Sequence, residues 1–356
     1  MTAGTLRSVG QLVEAGLIPA DQAAALSPVA DRYAIAVPPL IARQIKHAGP
    51  DSPLARQYLP TPGETASLPL DMADPIGDDA HSPVPGIVHR YTDRALLKLV
   101  HACPVYCRFC FRREMVGPGG DALTGDDLDI ALGYIADHPE LREIILTGGD
   151  PLIASPRRLR DLFDRLADIP HLQTIRIHTR VPVTVPERVT DDLVKTLSGS
   201  RLPIWVALHI NHEDELFTET SAVINKLALA GIPLLSQTVL LRGVNDCADS
   251  LISLFEHLGR LRVRPYYLHH PDRAPGTSRF RLTVQQGLDL YNGLKGQISG
   301  WLLPRYVLDL PGGVAKIALD SHAVRQNNPG QWHITDPSGG THIYHDDHQA
   351  PLKKSA

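Results

Sequence analysis

The stretch ALLKLVHACPVYCRFCFRR, residues 95–113, runs from an aliphatic segment straight into three cysteines, Cys103, Cys107 and Cys110, interleaved with Arg108, Arg112 and Arg113. The aliphatic part reads as a strand buried on both faces, and the cysteines then fall in the loop that follows it. Outward from this stretch the same rhythm recurs in EIILTG (143–148), TIRIHT (174–179), IWVALH (204–209), LLSQTVLL (234–241) and RPYYLHH (264–270). Segments with helical spacing separate these runs. In SPRRLRDLFDRLADIP (155–170), Ser155 suits an N-cap and Pro156 a first turn, and Leu159, Leu162, Phe163, Leu166 and Ile169 form one apolar stripe.

Strands alternating with helices predict right-handed βαβ units and a parallel sheet covered on both faces. Six such units precede residue 300, and LPRYVLDLPGGVAKIALDSH (303–322) does not supply the two more that a closed eight-unit barrel needs. The expected class is α/β, an incomplete, open (βα)6 barrel over residues 86–300. Its chemistry should lie at the C-terminal ends of the strands. Residues 1–85 read as an N-terminal helical and wrapping segment, with helical spacing at 5–18 and 20–26. A Pro-, Gly- and Asp-rich wrap covers 59–86. Residues 301–356 form a C-terminal segment whose polar end, 321–356, is expected to be partly disordered.

The totals bound the function class. Apolar residues make up 43% of the 356, mean hydropathy is −0.10, and no run approaches the roughly 20 apolar residues of a membrane span. No charged start followed by an apolar run marks the first residues, so a cytoplasmic location is expected. Thiols stay reduced there, which makes clustered cysteines ligands or catalysts before disulfides. A net charge of −4 without a long basic run argues against a general nucleic-acid binder.

The cysteine spacing is C-x3-C-x2-C. Three thiolates on a tight loop can hold three irons of a [4Fe–4S] cluster and leave the fourth open, whereas ferredoxin-type sites use four. A closed zinc site asks for a fourth protein ligand, and three unligated thiols are the plainest alternative. Tyr106 and Phe109 fit either packing around a cluster or plain core. TGGDPL (147–152) ends the second run; Gly148, Gly149 and Asp150 let backbone approach a ligand closely, or make an ordinary turn. DLPGGVAK (309–316) presents Lys316 after a flexible turn, where a lysine can bond pyridoxal 5′-phosphate (PLP) or simply face solvent. Arg90 and Arg94, just before the first strand, suit a phosphate or a surface.

Taken together, YTDRALL, CRFCFRR, ILTGGDPL, LLSQTVLLRGVND, RPYYLHHPD followed by PGTSRFR, and DLPGG-x-x-K resemble the lysine 2,3-aminomutase family of PLP-dependent radical S-adenosylmethionine (SAM) enzymes. The likeness keeps one order from about residue 50 to 320. It implies a [4Fe–4S] cluster on Cys103, Cys107 and Cys110, and SAM on the open iron and against Gly148, Gly149 and Asp150. PLP would sit on Lys316 with Arg90 and Arg94 in contact. The substrate carboxylate would lie on Arg112 and the lysine ε-ammonium between Asp272 and Asp309. The implied reaction is the interconversion of L-lysine and β-lysine. A flavodoxin or ferredoxin would donate electrons, and the family likeness suggests a homo-oligomer, with neither membrane nor nucleic acid as partner.

Departures and alternatives accompany the likeness. Val314 and Ala315 stand where the family has two further glycines. Cys247 matches a position that in longer members joins a structural zinc with cysteines of a neighbouring chain; no cysteine follows it here, so no structural zinc is expected. A branch that isomerises the lysine later attached to elongation factor P, or a radical SAM enzyme working on another amino acid, a peptide or RNA, are the competing readings. His209 and His212, and His342, His345 and His348, read as polar contacts before metal ligands.

Overall fold

The computed structural model describes residues 4–116, 123–319, 324–336 and 338–346. Four short N-terminal helices come first: α1 (Val9–Glu14), α2 (Ala23–Arg32), α3 (Pro39–Ala48) and α4 (Pro53–Tyr58). The main sheet then runs β1 (Ile87–Tyr91), β2 (Arg94–Val100), β3 (Glu143–Gly148), β4 (Thr174–Thr179), β5 (Ile204–His209), β6 (Leu234–Val239), β7 (Val263–His269), β8 (Arg305–Asp309) and β9 (Lys316–Ala318). Spatial order equals chain order, with β2 to β8 parallel and β1 and β9 antiparallel at the two edges.

Between the parallel strands lie α5 (Gly125–Ala136), α6 (Pro156–Ala167), the single turn α7 (Val181–Thr184), α8 (Asp191–Ser198), α9 (Thr218–Leu229), α10 (Ala248–Arg260) and α11 (Val284–Leu294). The six βα units and the open barrel are as the sequence implies. The segment after residue 300 adds a seventh parallel strand, in which Tyr306, Val307 and Leu308 are buried. The chain then folds back as β9 instead of forming another helix.

Burial explains why the strands were readable. Leu97, Leu99, Ile144, Leu146, Ile175 and Ile177 are fully buried against the helices. From α6, Leu159, Leu162, Phe163 and Leu166 join the same core, and Ser155 Oγ accepts from Arg158 N at 3.2 Å as an N-cap. Each such side chain contributes about 1.5–3 kcal/mol on burial.

The N-terminal helices build a second core, Leu12, Ile41, Ile45, Leu54 and Tyr58, that packs on Val105 of the cysteine loop. The wrap that follows is held by buried acids. Glu64 receives Arg108 Nε at 2.9 Å and Arg113 Nη2 at 2.6 Å, and Asp71 pairs with Arg281 at 2.6 Å. Carboxylates taken out of water need such partners, so the polar wrap is a fixed element.

Of the polar end expected to be partly disordered, 321–323, 337 and 347–356 lie outside the described residues; the described part forms an antiparallel meander of β10 (Val324–Asn328), β11 (Gln331–Thr335) and β12 (Thr341–His345). One face packs inward: Trp332, Ile334 and Tyr344 join the main core. Asp346 locks it, accepting from Trp332 Nε1 at 2.9 Å and from Val284 N at 2.7 Å. Among the described residues no helix is long and apolar enough to cross a membrane.

Candidate active site

A cavity of about 660 Å³ fills the barrel, reaching from the cysteine loop down to Arg94, Glu143, Arg176 and Arg305 at the starts of strands. All three cysteines line its upper end and none is in a disulfide. Burial pushes each thiol up, Cys110 to about 11, so in the free chain they hold their protons at neutral pH. Among the described residues no three of His, Cys, Asp or Glu are spaced to hold a single metal ion. A [4Fe–4S] cluster has a different requirement, one thiolate on each of three separate irons, and a loop of three free cysteines facing a cavity fits it. Tyr106 and Phe109 are both buried, and the Phe109 ring meets His209 edge-on at 5.4 Å.

The glycine pair at the end of β3 is needed by the chain's own backbone. A Cβ on Gly149 would sit 2.1 Å from Ala102 O, and one on Gly148, at φ +106°, would sit 2.5 Å from Val100 O. Through this contact Gly149 N donates to Val100 O and Asp150 N to Ala102 O, pinning the segment just before Cys103. The Asp150 carboxylate is filled from within. Its oxygens accept from Leu152 N, Thr179 Oγ1, Arg180 N and Val181 N at 2.6–3.1 Å. It ties β3 to the turn after β4.

The open barrel brings its two edges together: Lys316 N on β9 donates to Tyr91 Oη on β1 at 3.0 Å. That contact gathers Arg90, Arg94 and Lys316, which are far apart in sequence, around one cavity wall. Arg94 lies over the Tyr91 ring at 4.1 Å and pairs with Asp93 at 2.6 Å. Arg112 is held by Asp78, Nε at 2.9 Å and Nη2 at 2.8 Å from Oδ2, with Nη1 3.4 Å from Thr147 Oγ1. Arg90 approaches the other Asp78 oxygen at 3.6 Å. Asp78 therefore aligns two arginines at the rim.

Asp309 and Lys316 are direct cross-strand partners of β8 and β9. The loop between them turns at Gly312 and Gly313, φ +77° and +78°, and a Cβ on Gly313 would lie 2.6 Å from Ile76 O of the wrap. Val314 has an ordinary φ of −61° and is 44% exposed, so the two missing glycines of the family pattern put no strain on this loop. Lys316 Nζ bonds Asp309 Oδ2 and lies 3.3 Å from His269 Nδ1, which is 3.6 Å from the same carboxylate. The Lys316 ammonium and His269 hold Asp309 well below the usual carboxylate range, against its burial. Burial and the charge of Asp309 push Asp272, on the same cavity, up to about 7. His178 and His209 also line the wall and are kept neutral by burial.

Other positions resolve simply. His212 caps a short turn, accepting from Asp214 N at 3.1 Å. Cys247 is exposed at the N-cap of α10. His342 pairs with Asp336 at 2.6 Å, His345 lies on β12, and His348 lies outside the described residues.

Sequence reading missed Arg180, Asp78 and His269. Arg180, 5% exposed, donates from Nη1 to Cys107 Sγ at 2.9 Å and from Nη2 to Gln57 Oε1 at 2.8 Å, and it pairs with Glu215. Glu215 in turn accepts from Tyr58 Oη at 2.9 Å and Asn211 N at 2.8 Å. An arginine next to the end of β4 is the only local hint of this network.

Sequence comparison with known proteins points the same way. Residues 97–255 match the Radical SAM superfamily. The chain is 39% identical over 282 residues to L-lysine 2,3-aminomutase of Clostridium subterminale, covering 79% of this chain and 68% of that protein. To the L-lysine 2,3-aminomutase of Escherichia coli (strain K12) it is 38% identical over 288 residues, 81% and 84% of the two chains. Among solved structures, Streptococcus suis SuiB bound to S-adenosylmethionine is similar at a TM-score of 0.46 and 12% identity, over 65% of this chain and 52% of that one.

Proposed function

The chain belongs to the lysine 2,3-aminomutase family of radical SAM enzymes, and from that premise we propose that it interconverts L-lysine and β-lysine, with PLP carried on Lys316. Membership implies a [4Fe–4S] cluster and SAM, which together supply a radical able to remove hydrogen from an unactivated carbon. PLP, when bound, supplies a conjugated ring that delocalises an unpaired electron while nitrogen moves between neighbouring carbons.

The observation that carries the reading is the meeting of Lys316 with Asp309, Asp272, Arg90 and Arg94 on a cavity that also opens to the three cysteines. Lys316 is a partly exposed amine on the cavity wall, placed to reach a carbonyl bound there. Arg90 and Arg94 offer forked donors to a phosphate, and among the described residues the buried Nε of Arg90 has no hydrogen-bond partner. Arg112, fixed by Asp78 at the rim, is oriented to take a substrate carboxylate. Asp272 and Asp309 favour a cationic side chain and disfavour an acidic one. Leu96, Ile145 and Val307 on the same wall keep water from the reacting centre.

The reading is tested by incubating the chain with PLP, reducing with borohydride and mapping the mass increment. The increment should fall on Lys316 and vanish in Lys316→Ala. Attachment at another lysine would sink the assignment.

A further inference from the structure

Cleaving SAM takes one electron from the cluster, and the cavity that the three cysteines face is where SAM and substrate would meet. The electron then has to enter from the other side of the cysteine loop. There Cys107 packs against a small buried group of Phe109, Leu241, Val244 and Phe280, in which the Phe109 and Phe280 rings meet edge-on at 6.1 Å. Arg279, a quarter exposed, covers this group with its guanidinium 4.5 Å over the Phe280 ring. One apolar layer thus separates a cysteine of the loop from arginines that reach solvent.

Arg279, Arg56 and Arg242 form one patch. Arg279 Nη2 donates to Arg56 O at 3.2 Å, and Arg242 N donates to Phe280 O at 2.8 Å. Arg56 Nη1 lies on Gly243, 2.9 Å from where a Cβ would stand. Their charge is not balanced locally. Among the described residues Arg56 and Arg242 pair with no carboxylate: Arg56 Nε donates to Asp51 O, and Arg242 donates to Arg281 O and Gln286 Oε1. Arg279 shares the single carboxylate of Glu64 with Arg108 and Arg113. Burial, and then the neighbouring charges of Arg108, Arg113 and Arg56, pull the Arg279 guanidinium down to about 10 against the pull of Glu64. In a chain of net charge −4 this is a local excess of positive charge.

We propose that the patch of Arg56, Arg242 and Arg279 docks a small acidic flavoprotein, which passes one electron through the Phe280–Phe109 layer to the cluster. The inference goes beyond the aminomutase reading and rests on radical SAM membership alone. In the step the carrier's anionic reduced flavin becomes the neutral semiquinone, the cluster gains the one electron released, and no proton moves. A reduced flavin is a flat anion, which suits guanidinium groups held over an aromatic ring. Carboxylates around that flavin would meet the arginines, giving fast, salt-sensitive encounters of the kind that need little buried area.

The test uses the holoenzyme, reconstituted with iron and sulfide and supplied with SAM, and reduced flavodoxin as the probe. Stopped-flow absorbance follows the flavin semiquinone. The second-order rate of the wild type should fall steeply as salt rises. Arg56→Glu and Arg56→Glu/Arg242→Gln should lower it at least about tenfold at low salt and flatten the salt dependence. Arg56→Gln, the milder change, should shift it in the same direction. Arg264→Glu makes the same charge change on an exposed residue at the start of β7, the far end of the barrel, and should leave the rate unchanged. Dithionite should give every variant the same reduced-cluster EPR signal, which separates docking from damage to the cluster. Patch variants as fast as wild type, an equal loss in Arg264→Glu, or a wild-type rate indifferent to salt overturns the inference. So does a loss matched by a weaker dithionite signal, or an acidic ferredoxin that shows the arginine dependence while flavodoxin shows none. Failure of the aminomutase reading shows separately, as lysine left intact when dithionite drives SAM cleavage.

Discussion

Arg180 and Cys107 are joined by a hydrogen bond from Nη1 to Sγ of 2.9 Å, made by a guanidinium that is itself buried and neutralised by Glu215. Donors to a ligand sulfur stabilise the more negative, reduced state of an iron–sulfur cluster and raise its potential. Arg180→Gln should therefore lower the midpoint potential of the reconstituted cluster, with Arg180→Lys in between. Redox titration followed by EPR reads this, and a potential unchanged in both variants contradicts the role.

Glu64 anchors the wrap to the cysteine loop through Arg108 and Arg113, all three being buried. Glu64→Gln leaves two buried guanidinium groups short of their counter-charge, and the loss should be about 3–5 kcal/mol. Denaturant unfolding of the wild type and the variant measures it. A change below about 1 kcal/mol, the range of exposed pairs, would show that the cluster is not the anchor.

Two glycine substitutions should part company. In Gly149→Ala the new methyl meets the backbone oxygen of Ala102 at 2.1 Å and must displace the segment leading to Cys103. Iron and sulfide content after reconstitution should fall sharply. Gly312 has nothing within 4 Å of its Cβ position, so Gly312→Ala costs only its left-handed backbone, roughly 1–2 kcal/mol, and iron content should hold.

The pH dependence follows from Asp272. Its folded value of about 7 lies above the ordinary 3.8, so between those limits the folded chain holds a proton that the unfolded chain has lost. Its share of stability is thus present in full below the ordinary value and lost as pH rises through 7. The same ionisation supplies the second negative charge for a substrate ammonium. The kcat/KM for lysine should rise through about pH 7, and Asp272→Asn should lower it and remove that rise. A rise that persists in Asp272→Asn assigns the titration elsewhere.

Much of this architecture is legible in the chain because it rests on local patterns. The barrel strands are buried on both faces, so EIILTG, TIRIHT and IWVALH coincide with β3, β4 and β5. Ser155 and Pro156 mark the start of α6 through a cap that spans three residues. The meander strands are hard to read because only alternate positions such as Trp332 and Ile334 face the core, and most of their other residues are polar. The seventh strand, RYVLD, has no helix after it to complete the βαβ rhythm. Arg180 escapes sequence reading for another reason: its partner Gln57 lies 123 residues away, and no period or spacing reports such a contact. Asp78 sits in a wrap whose composition resembles a linker, and only the fold brings it under Arg90 and Arg112.

The most direct test of the central claim is anaerobic reconstitution with iron, sulfide and PLP, followed by reductant, SAM and carbon-13 lysine, with the product read by NMR. The account predicts β-lysine from the wild type and none from Lys316→Ala or Cys107→Ala. Cleavage of SAM by the wild type with lysine left intact would contradict it, keeping the radical machinery and removing lysine as the substrate.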